Sequence, residues 1–172
     1  MDAPPSHADF DDFYRGASPR LIQYAYAMCG DFGVAQDLTQ EAFVKAWLRW
    51  HKLRDYESPE SWLRLVVTNM VTDRWRHLSA RRKAWQRAGP AEPVAPPGED
   101  GVLLAAALRH LPLPQRRAVV LHYLYDMPIA AIAVETGASA GTVKSWLWRG
   151  RHELAQLLHL PDAYERDSED AR

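Results

Sequence analysis

The chain has 172 residues, a formal net charge of −1 at pH 7 and one cysteine, Cys29. An intrachain disulfide and a cysteine-rich metal site are therefore excluded, and no apolar run is long enough to cross a bilayer. The first residues lack the basic and apolar regions of a secretory signal, so we expect a cytoplasmic protein in a reducing compartment.

The apolar residues of the first half have helical spacing, and strand-like alternation of useful length is absent from the sequence. We predict helices over 9–16, from Ser18-Pro19 to Gly30, over 32–50, and from Ser58-Pro59 to about His77. The third of these is expected to bury Leu38, Ala42, Ala46 and Trp50, and the fourth Trp62, Leu65 and Val66.

The third predicted helix has a second face that mixes acid, amide and aliphatic side chains. Its members are Asp37, Gln40, Glu41, Val44 and Leu48. Helical periodicity leaves two interpretations open. The face is either a solvated side with two stray aliphatic residues, or a docking strip for a protein surface that is both basic and apolar.

The fourth predicted helix becomes polar towards its end and then basic and aromatic. Its apolar face continues into Asn69, Asp73 and Arg76, and Trp75 and His77 lie beside them. Residues 74–87 contain six Lys or Arg residues, Arg81 and Arg82 included, and no acid. Cations interleaved with aromatic rings suit single-stranded nucleic acid, because the cations follow phosphates while the rings stack on unpaired bases.

A change of composition divides the chain. Residues 88–101 are rich in proline and glycine and have almost nothing to bury, which predicts a flexible linker. Helices over 102–111 and 115–125 follow, and an acidic tail over 161–172 is expected to be disordered. The predicted fold is therefore all-α, with small helical domains over 9–87 and 102–160.

The second domain ends in a predicted helix-turn-helix. A short helix starts with Pro128 at its first position, Gly137 terminates it, and Ser139 caps a second helix that runs to Leu158. The inner face of the second helix is Val143, Leu147, Gly150 and Leu154. Its outer side and first turn carry Thr142, Lys144, Ser145, Trp148, Arg149 and His152, without an acid. We predict that this side contacts duplex DNA, with an ordinary helical hairpin as the alternative.

Four segments together resemble bacterial sigma factors. Asp37-Leu-Thr-Gln-Glu-Ala-Phe-Val-Lys-Ala-Trp47 resembles region 2.2, and residues 62–76 resemble regions 2.3 and 2.4. Residues 111–121 resemble region 4.1, and Gly141-Thr-Val-Lys-Ser145 with Arg149 and Arg151 resembles region 4.2. Their order, with a linker and without a folded region 3, is the layout of extracytoplasmic-function (ECF) sigma factors of the sigma-70 family.

The resemblance implies a subunit that binds core RNA polymerase and directs promoter-specific initiation. It places Asp37, Gln40, Glu41, Val44 and Leu48 against the polymerase clamp. Asn69, Asp73, Trp75, Arg76, His77, Arg81 and Arg82 would lie near the single-stranded −10 element. Thr142, Lys144, Ser145, Trp148, Arg149 and His152 would lie on the −35 duplex.

The resemblance also implies an anti-sigma partner, and we expect no catalytic activity, cofactor or metal. Pro128, Ala131, Trp146 and Trp148 depart from the family pattern, and these departures bear on the promoter preference and not on the class of protein. Two alternatives stay open at this point. One is a helix-turn-helix regulator that does not bind core polymerase, and the other is a helical polymerase-interaction protein that does not touch DNA.

Overall fold

The computed structural model describes residues 7–84 and 100–159, without the side chains of residues 7, 79–84 and 100. These residues form eight α-helices and no strand, so the predicted all-α class is confirmed. The chain divides into two compact units, residues 1–97 and 98–172. The predicted linker up to residue 99 and the predicted acidic tail lie outside the described residues.

The described part of the first unit contains four helices. They are α1 (His7–Cys29), α2 (Phe32–Leu48), α3 (Trp50–Leu53) and α4 (Pro59–Ala84). The Asp31 side chain caps α2 by accepting a hydrogen bond from the Val34 N–H at 3.0 Å. The predicted core residues Leu38, Ala42, Ala46 and Trp50 are all buried. The predicted single helix over 32–50 is wrong at its end, because α2 ends at Leu48 and Trp50 begins α3.

The predicted break between two helices at Ser18-Pro19 is wrong, because α1 is continuous and contains Pro19. Proline has no N–H to donate within a helix, but its ring lies on the exposed side here. The opposite side buries Ala17 and Leu21. Further towards the N-terminus, the Phe13 ring stacks on Trp50 with centroids 4.9 Å apart. Packing on both sides of the proline therefore outweighs the local helix-breaking signal.

The predicted core face of α4 is also wrong. The side chains that face the core are Leu63, Val67 and Val71, whereas Leu65 is 43% exposed and Trp62 and Val66 are half-buried. This helix has apolar residues on both sides, so periodicity alone could not tell which side is inside. The fully buried Tyr24 hydroxyl lies 2.8 Å from Thr68 Oγ1 and fixes α1 against α4.

Over residues 100–159, the second unit also contains four helices. They are α5 (Asp100–His110), α6 (Leu113–Tyr125), α7 (Ile129–Thr136) and α8 (Ala140–Leu157). Asp100 and Gly101 thus belong to α5 and not to the predicted linker. The buried Arg116 donates from Nη2 to the carbonyl oxygens of Arg109 and Leu111, both at 3.0 Å. These bonds satisfy carbonyls at the end of α5, which would otherwise lack partners.

The helix-turn-helix is confirmed in α7 and α8. Gly137 ends α7 in the left-handed region with φ of 69°, and Ser139 Oγ accepts from the Thr142 N–H at 3.1 Å. All four predicted inner-face residues of α8 are buried. Pro128 is the N-cap residue of α7 and not its first helical residue, because its extended backbone precedes the helix. Arg117 of α6 donates to the Glu135 carbonyl oxygen of α7 at 3.3 Å.

Candidate docking and nucleic-acid interfaces

The proposed docking strip is one exposed face of α2. Asp37, Gln40 and Glu41 are exposed, as are Val44 (58%) and Leu48 (71%). The structure therefore brings all five predicted residues together on one surface. The Glu41 carboxylate forms an ion pair with Lys45 Nζ at 2.7 Å, so the charge of Glu41 is partly compensated from within the same helix.

The docking strip continues onto an aromatic surface that the sequence interpretation missed. Trp47 is 39% exposed. It lies three residues after Val44, so the two side chains are neighbours on the surface of α2. The Phe10 ring packs edge-on against it with centroids 5.0 Å apart. The periodicity could have indicated Trp47 as an exposed large apolar residue, because it falls outside the buried face of α2.

The predicted −10 residues with described side chains are all exposed on α4. Asn69, Asp73 and Arg76 follow one another at i, i+4 and i+7 and share a face, whereas Trp75 lies on a different side of the helix. Asp73 and Arg76 are 3.6 Å apart as an exposed ion pair, which contributes little to stability. The side chains of Arg81 and Arg82 lie outside the described residues.

Two cavities flank Trp62, and the sequence interpretation found neither because it placed Trp62 in the core. The first is about 350 Å³ and is lined by Arg49, His51, Lys52, Leu53, Tyr56 and Trp62. The second is about 370 Å³ and is lined by Lys45, Leu48, Arg49, Trp62, Val66, Asn69, Met70 and Asp73. The Arg49 guanidinium lies 6.0 Å from the centre of the Trp62 ring, within the range of a cation–π contact.

These cavities combine aromatic, cationic and hydrogen-bonding groups. Tyr56 is 52% exposed beside the first cavity, so its ring is available for stacking. Asn69 and Asp73 bring amide and carboxylate groups to the second cavity. The predicted docking and −10 surfaces therefore meet, since Leu48 of the docking strip lines the same cavity as Asn69.

The outer side of α8 lines a larger cavity of about 580 Å³. Lys144, Ser145, Trp148 and Arg149 border it together with His122, Ile129, Leu147 and Arg151. Its lining contains four basic side chains and no acid. Arg151 and His122, which sequence reasoning did not place here, extend the basic surface towards α6. Arg151 Nη1 also donates to the Tyr123 hydroxyl at 3.4 Å.

The two remaining residues of the predicted −35 set are placed differently from the others. Thr142 is exposed in the first turn of α8, and its hydroxyl lies 2.9 Å from Ser139 Oγ. His152 is half-buried and stacks on Trp148. The outer side of α8 therefore carries cations at Lys144 and Arg149 and a pair of stacked rings at Trp148 and His152.

Comparison with known proteins identifies both units. Residues 13–81 match the family model for sigma-70 region 2, and residues 102–154 match that for sigma-70, region 4. The chain is 30% identical over 156 residues to the RNA polymerase sigma-E factor of Streptomyces coelicolor, covering 90% of this chain and 88% of that protein. It is 31% identical over 147 residues to the ECF RNA polymerase sigma factor SigL of Mycobacterium tuberculosis, covering 81% of each. The chain belongs to the ECF sigma factors of the sigma-70 family.

Two solved structures support the fold of this ECF sigma factor. RpoE of Bartonella quintana, in a co-crystal with the anti-sigma factor NepR, is 23% identical with a TM-score of 0.73, covering 88% of this chain and 98% of that one. CnrH, in complex with the cytosolic domain of CnrY, is 23% identical with a TM-score of 0.63 and covers 90% of each chain. In the part of the chain that the structure describes, no helix is long and apolar enough to cross a membrane.

The predicted family is thus confirmed. A helix-turn-helix regulator without polymerase contact would leave the match to sigma-70 region 2 unexplained. A helical interaction protein that avoids DNA would leave the region 4 match and the acid-free lining of the cavity along α8 unexplained. Both alternatives are therefore disfavoured.

Proposed function

We propose that this sigma factor binds core RNA polymerase in the cytoplasm through the docking strip on α2. The strip combines acids at Asp37 and Glu41 with exposed aliphatic groups at Val44 and Leu48. Such a surface complements one that is basic and apolar. Trp47 extends the apolar part of the strip and supplies the kind of aromatic side chain that is enriched at interface centres.

The −10 element is held as a single strand along α4. Asn69, Asp73, Trp75, Arg76 and His77, followed by Arg81 and Arg82, lie along the path of that strand. A base that leaves the stack needs a pocket and a stacking partner. The cavity beside Tyr56 and Trp62 provides both, and Arg49, His51 and Lys52 on its lining attract the adjoining phosphates.

The −35 element is read as a duplex by α8. The helix enters the major groove with its N-terminal half, as the second helix of this motif does. Thr142, Lys144, Ser145, Trp148, Arg149 and His152 form the contact region. The observation that carries the proposal is the acid-free lining of the cavity along this side of α8, because a protein with a net charge of −1 must concentrate cations locally to bind phosphate.

An anti-sigma factor regulates the chain in this proposal. The solved structures of the similar chains RpoE and CnrH are complexes with the anti-sigma factor NepR and with the cytosolic domain of CnrY respectively. In the described chain, exposed apolar residues such as Val44 and Leu48 on α2 would be available to such a partner. An anti-sigma factor that covers the docking strip would compete directly with core polymerase.

Run-off transcription tests the proposal as a whole. Core RNA polymerase is mixed with the full-length chain on a pool of genomic promoter fragments, and core polymerase alone is the control. We expect new transcripts with defined start sites only when the chain is added. Binding to DNA without transcripts would instead indicate a helix-turn-helix regulator, and binding to core without promoter selection would indicate an interaction protein.

A further inference from the structure

The outer side of α8 carries a column of three side chains, each one helical turn from the next. The rings of Trp148 and His152 have centroids 5.5 Å apart and planes only 3° from parallel. Gln156 Nε2 lies 3.1 Å from His152 Nε2. His152 is therefore held on one ring face and at one ring edge by residues at i−4 and i+4 of its own helix.

This column restrains the Trp148 indole. Trp148 is 52% exposed, so the solvent on its outer side does not hold the ring in one rotamer. A parallel stack on a half-buried imidazole opposes that freedom, and the Gln156 contact opposes rotation of the imidazole in turn. A side chain that is fixed before binding loses less conformational entropy on binding, and it discriminates better because it cannot adapt to the wrong partner.

We propose that His152 is a positioning residue for −35 recognition. His152 and Gln156 hold the Trp148 indole in one orientation, and the indole packs against a thymine methyl group in the major groove. In this role His152 acts through Trp148, which covers one face of its ring. This inference rests on the proposed role of α8 and assigns base discrimination at one position to Trp148.

The test uses holoenzyme assembled from core polymerase and the full-length chain. The probe is the −35 duplex that wild-type holoenzyme selects from a randomised pool, together with versions substituted at each base pair in turn. We expect Trp148→Ala to lose discrimination at one thymine position. His152→Ala should reduce the same discrimination by about two- to twelve-fold, the range for one aromatic pair. His152→Phe should restore it, because the ring stack is kept.

Two controls separate positioning from structural damage. Glu153→Ala changes the neighbouring exposed residue outside the column and should leave every preference unchanged. In the free chain, the NMR resonance of the His152 Cε1–H, identified by its loss in His152→Ala, should move much further in Trp148→Ala, which removes the ring current of the stacked indole, than in Glu153→Ala. Circular dichroism of each variant shows whether the total helix content of the chain is unchanged.

The outcomes distinguish this inference from the proposed function. The inference is overturned if His152→Ala weakens binding equally at all base pairs, or if His152→Phe fails to restore the lost discrimination. The proposed −35 role of α8 fails separately if Lys144→Ala and Arg149→Ala holoenzymes bind every substituted duplex as the wild type does.

Discussion

Gly150 in α8 lies directly against Val119 in α6. A Cβ atom added at Gly150 would stand 2.7 Å from Val119 Cγ2 and 3.6 Å from Leu111 Cδ1. Real Cβ atoms do not approach a neighbour as closely as the first distance, so the two helices pack closer here than any other residue at 150 would allow. This contact sets the distance between α8 and α6. It therefore also sets how far the outer side of α8 stands out from the rest of the second unit.

Gly150→Ala should therefore destabilise the second unit. Alanine is favoured over glycine in a helix by about 1 kcal/mol, but the clash with Val119 should outweigh that gain, because overpacking a core costs about 1–3 kcal/mol. Urea unfolding of the full chain measures the change. Gly141→Ala in the same helix is the matched control, since its Cβ would meet only Ser139 Oγ at 3.8 Å. In a Val119→Ala background the clash is absent, so Gly150→Ala should cost less stability there than in the wild type. The explanation is wrong if Gly150→Ala lowers the free energy of unfolding equally in both backgrounds.

The sequence could predict α8 almost completely and α4 only in outline. In α8 the cap at Ser139 and a single apolar stripe agree, so periodicity identifies the buried face. In α4 apolar residues lie on both sides, and the choice between Trp62 and Leu63 as the inner residue depends on which side α1 and α2 cover. No local signal contains that information.

Other features arise from contacts between residues distant in sequence. Pro19 carries a strong helix-start signal, yet tertiary packing overrides it. Arg116 would ordinarily be expected on the surface. Its burial depends on carbonyl groups at the end of α5 that become available only after the chain folds. The cavities beside Trp62 likewise require α2, α3 and α4 to meet, so they could not be found from one helix at a time.

Reversing the charges of Asp37 and Glu41 should abolish assembly with core polymerase. In Asp37→Lys/Glu41→Lys, like charges would face each other across the proposed interface, at a cost of several kcal/mol. The variant also loses the Glu41–Lys45 ion pair, but exposed pairs of this kind contribute only about 0.3–0.5 kcal/mol, so helicity should persist. Native gel shift against core polymerase measures binding. Asp11→Lys/Asp12→Lys, with the same charge change on exposed α1 residues, should bind as the wild type does. Undiminished assembly of the α2 variant would refute the docking strip.

Tyr56→Ala should impair strand opening while leaving −35 binding intact. Stacking of one base on an aromatic ring is worth about 1–3 kcal/mol by alanine substitution, and Tyr56 is exposed enough to be removed without loss of core packing. Permanganate reactivity of unpaired thymines in the holoenzyme–promoter complex measures opening. Leu65→Ala, at an exposed position of α4 that lines neither cavity, is the control. If Tyr56→Ala and the wild type open the promoter equally, the cavity between Tyr56 and Trp62 does not hold the unstacked base.

The Cys29 thiol should react slowly in the native protein. Burial raises the pKa of Cys29 above its ordinary value, and the negative charge of Asp31 adds to the effect. The thiol also donates to the Asp31 carbonyl oxygen at 3.2 Å. Since the thiolate is the reactive form, alkylation by iodoacetamide near pH 8 should be slower in the native chain than in urea-unfolded chain, and it should accelerate as the pH rises. Equal rates in the two states would contradict this.

Arg149→Ala, on the outer side of α8, should weaken DNA binding without lowering the stability of the second unit. Arg149 is exposed beside Lys144 and Trp148 in the basic cavity, and its fork of donors suits guanine O6 and N7. A base contact predicts a loss of about 1–3 kcal/mol together with relaxed preference at one base pair. A phosphate contact predicts instead a uniform loss across sequences and a salt slope smaller by about one.

Leu154→Ala provides the contrast, because Leu154 is buried on the inner side of the same helix. Its removal should lower the free energy of unfolding by about 2–5 kcal/mol and leave sequence preference unchanged in the fraction that remains folded. Both variants are measured in holoenzyme against salt concentration and against −35 duplexes substituted at single positions. If Arg149→Ala binds every duplex with wild-type affinity at every salt concentration, then Arg149 does not contact the −35 element.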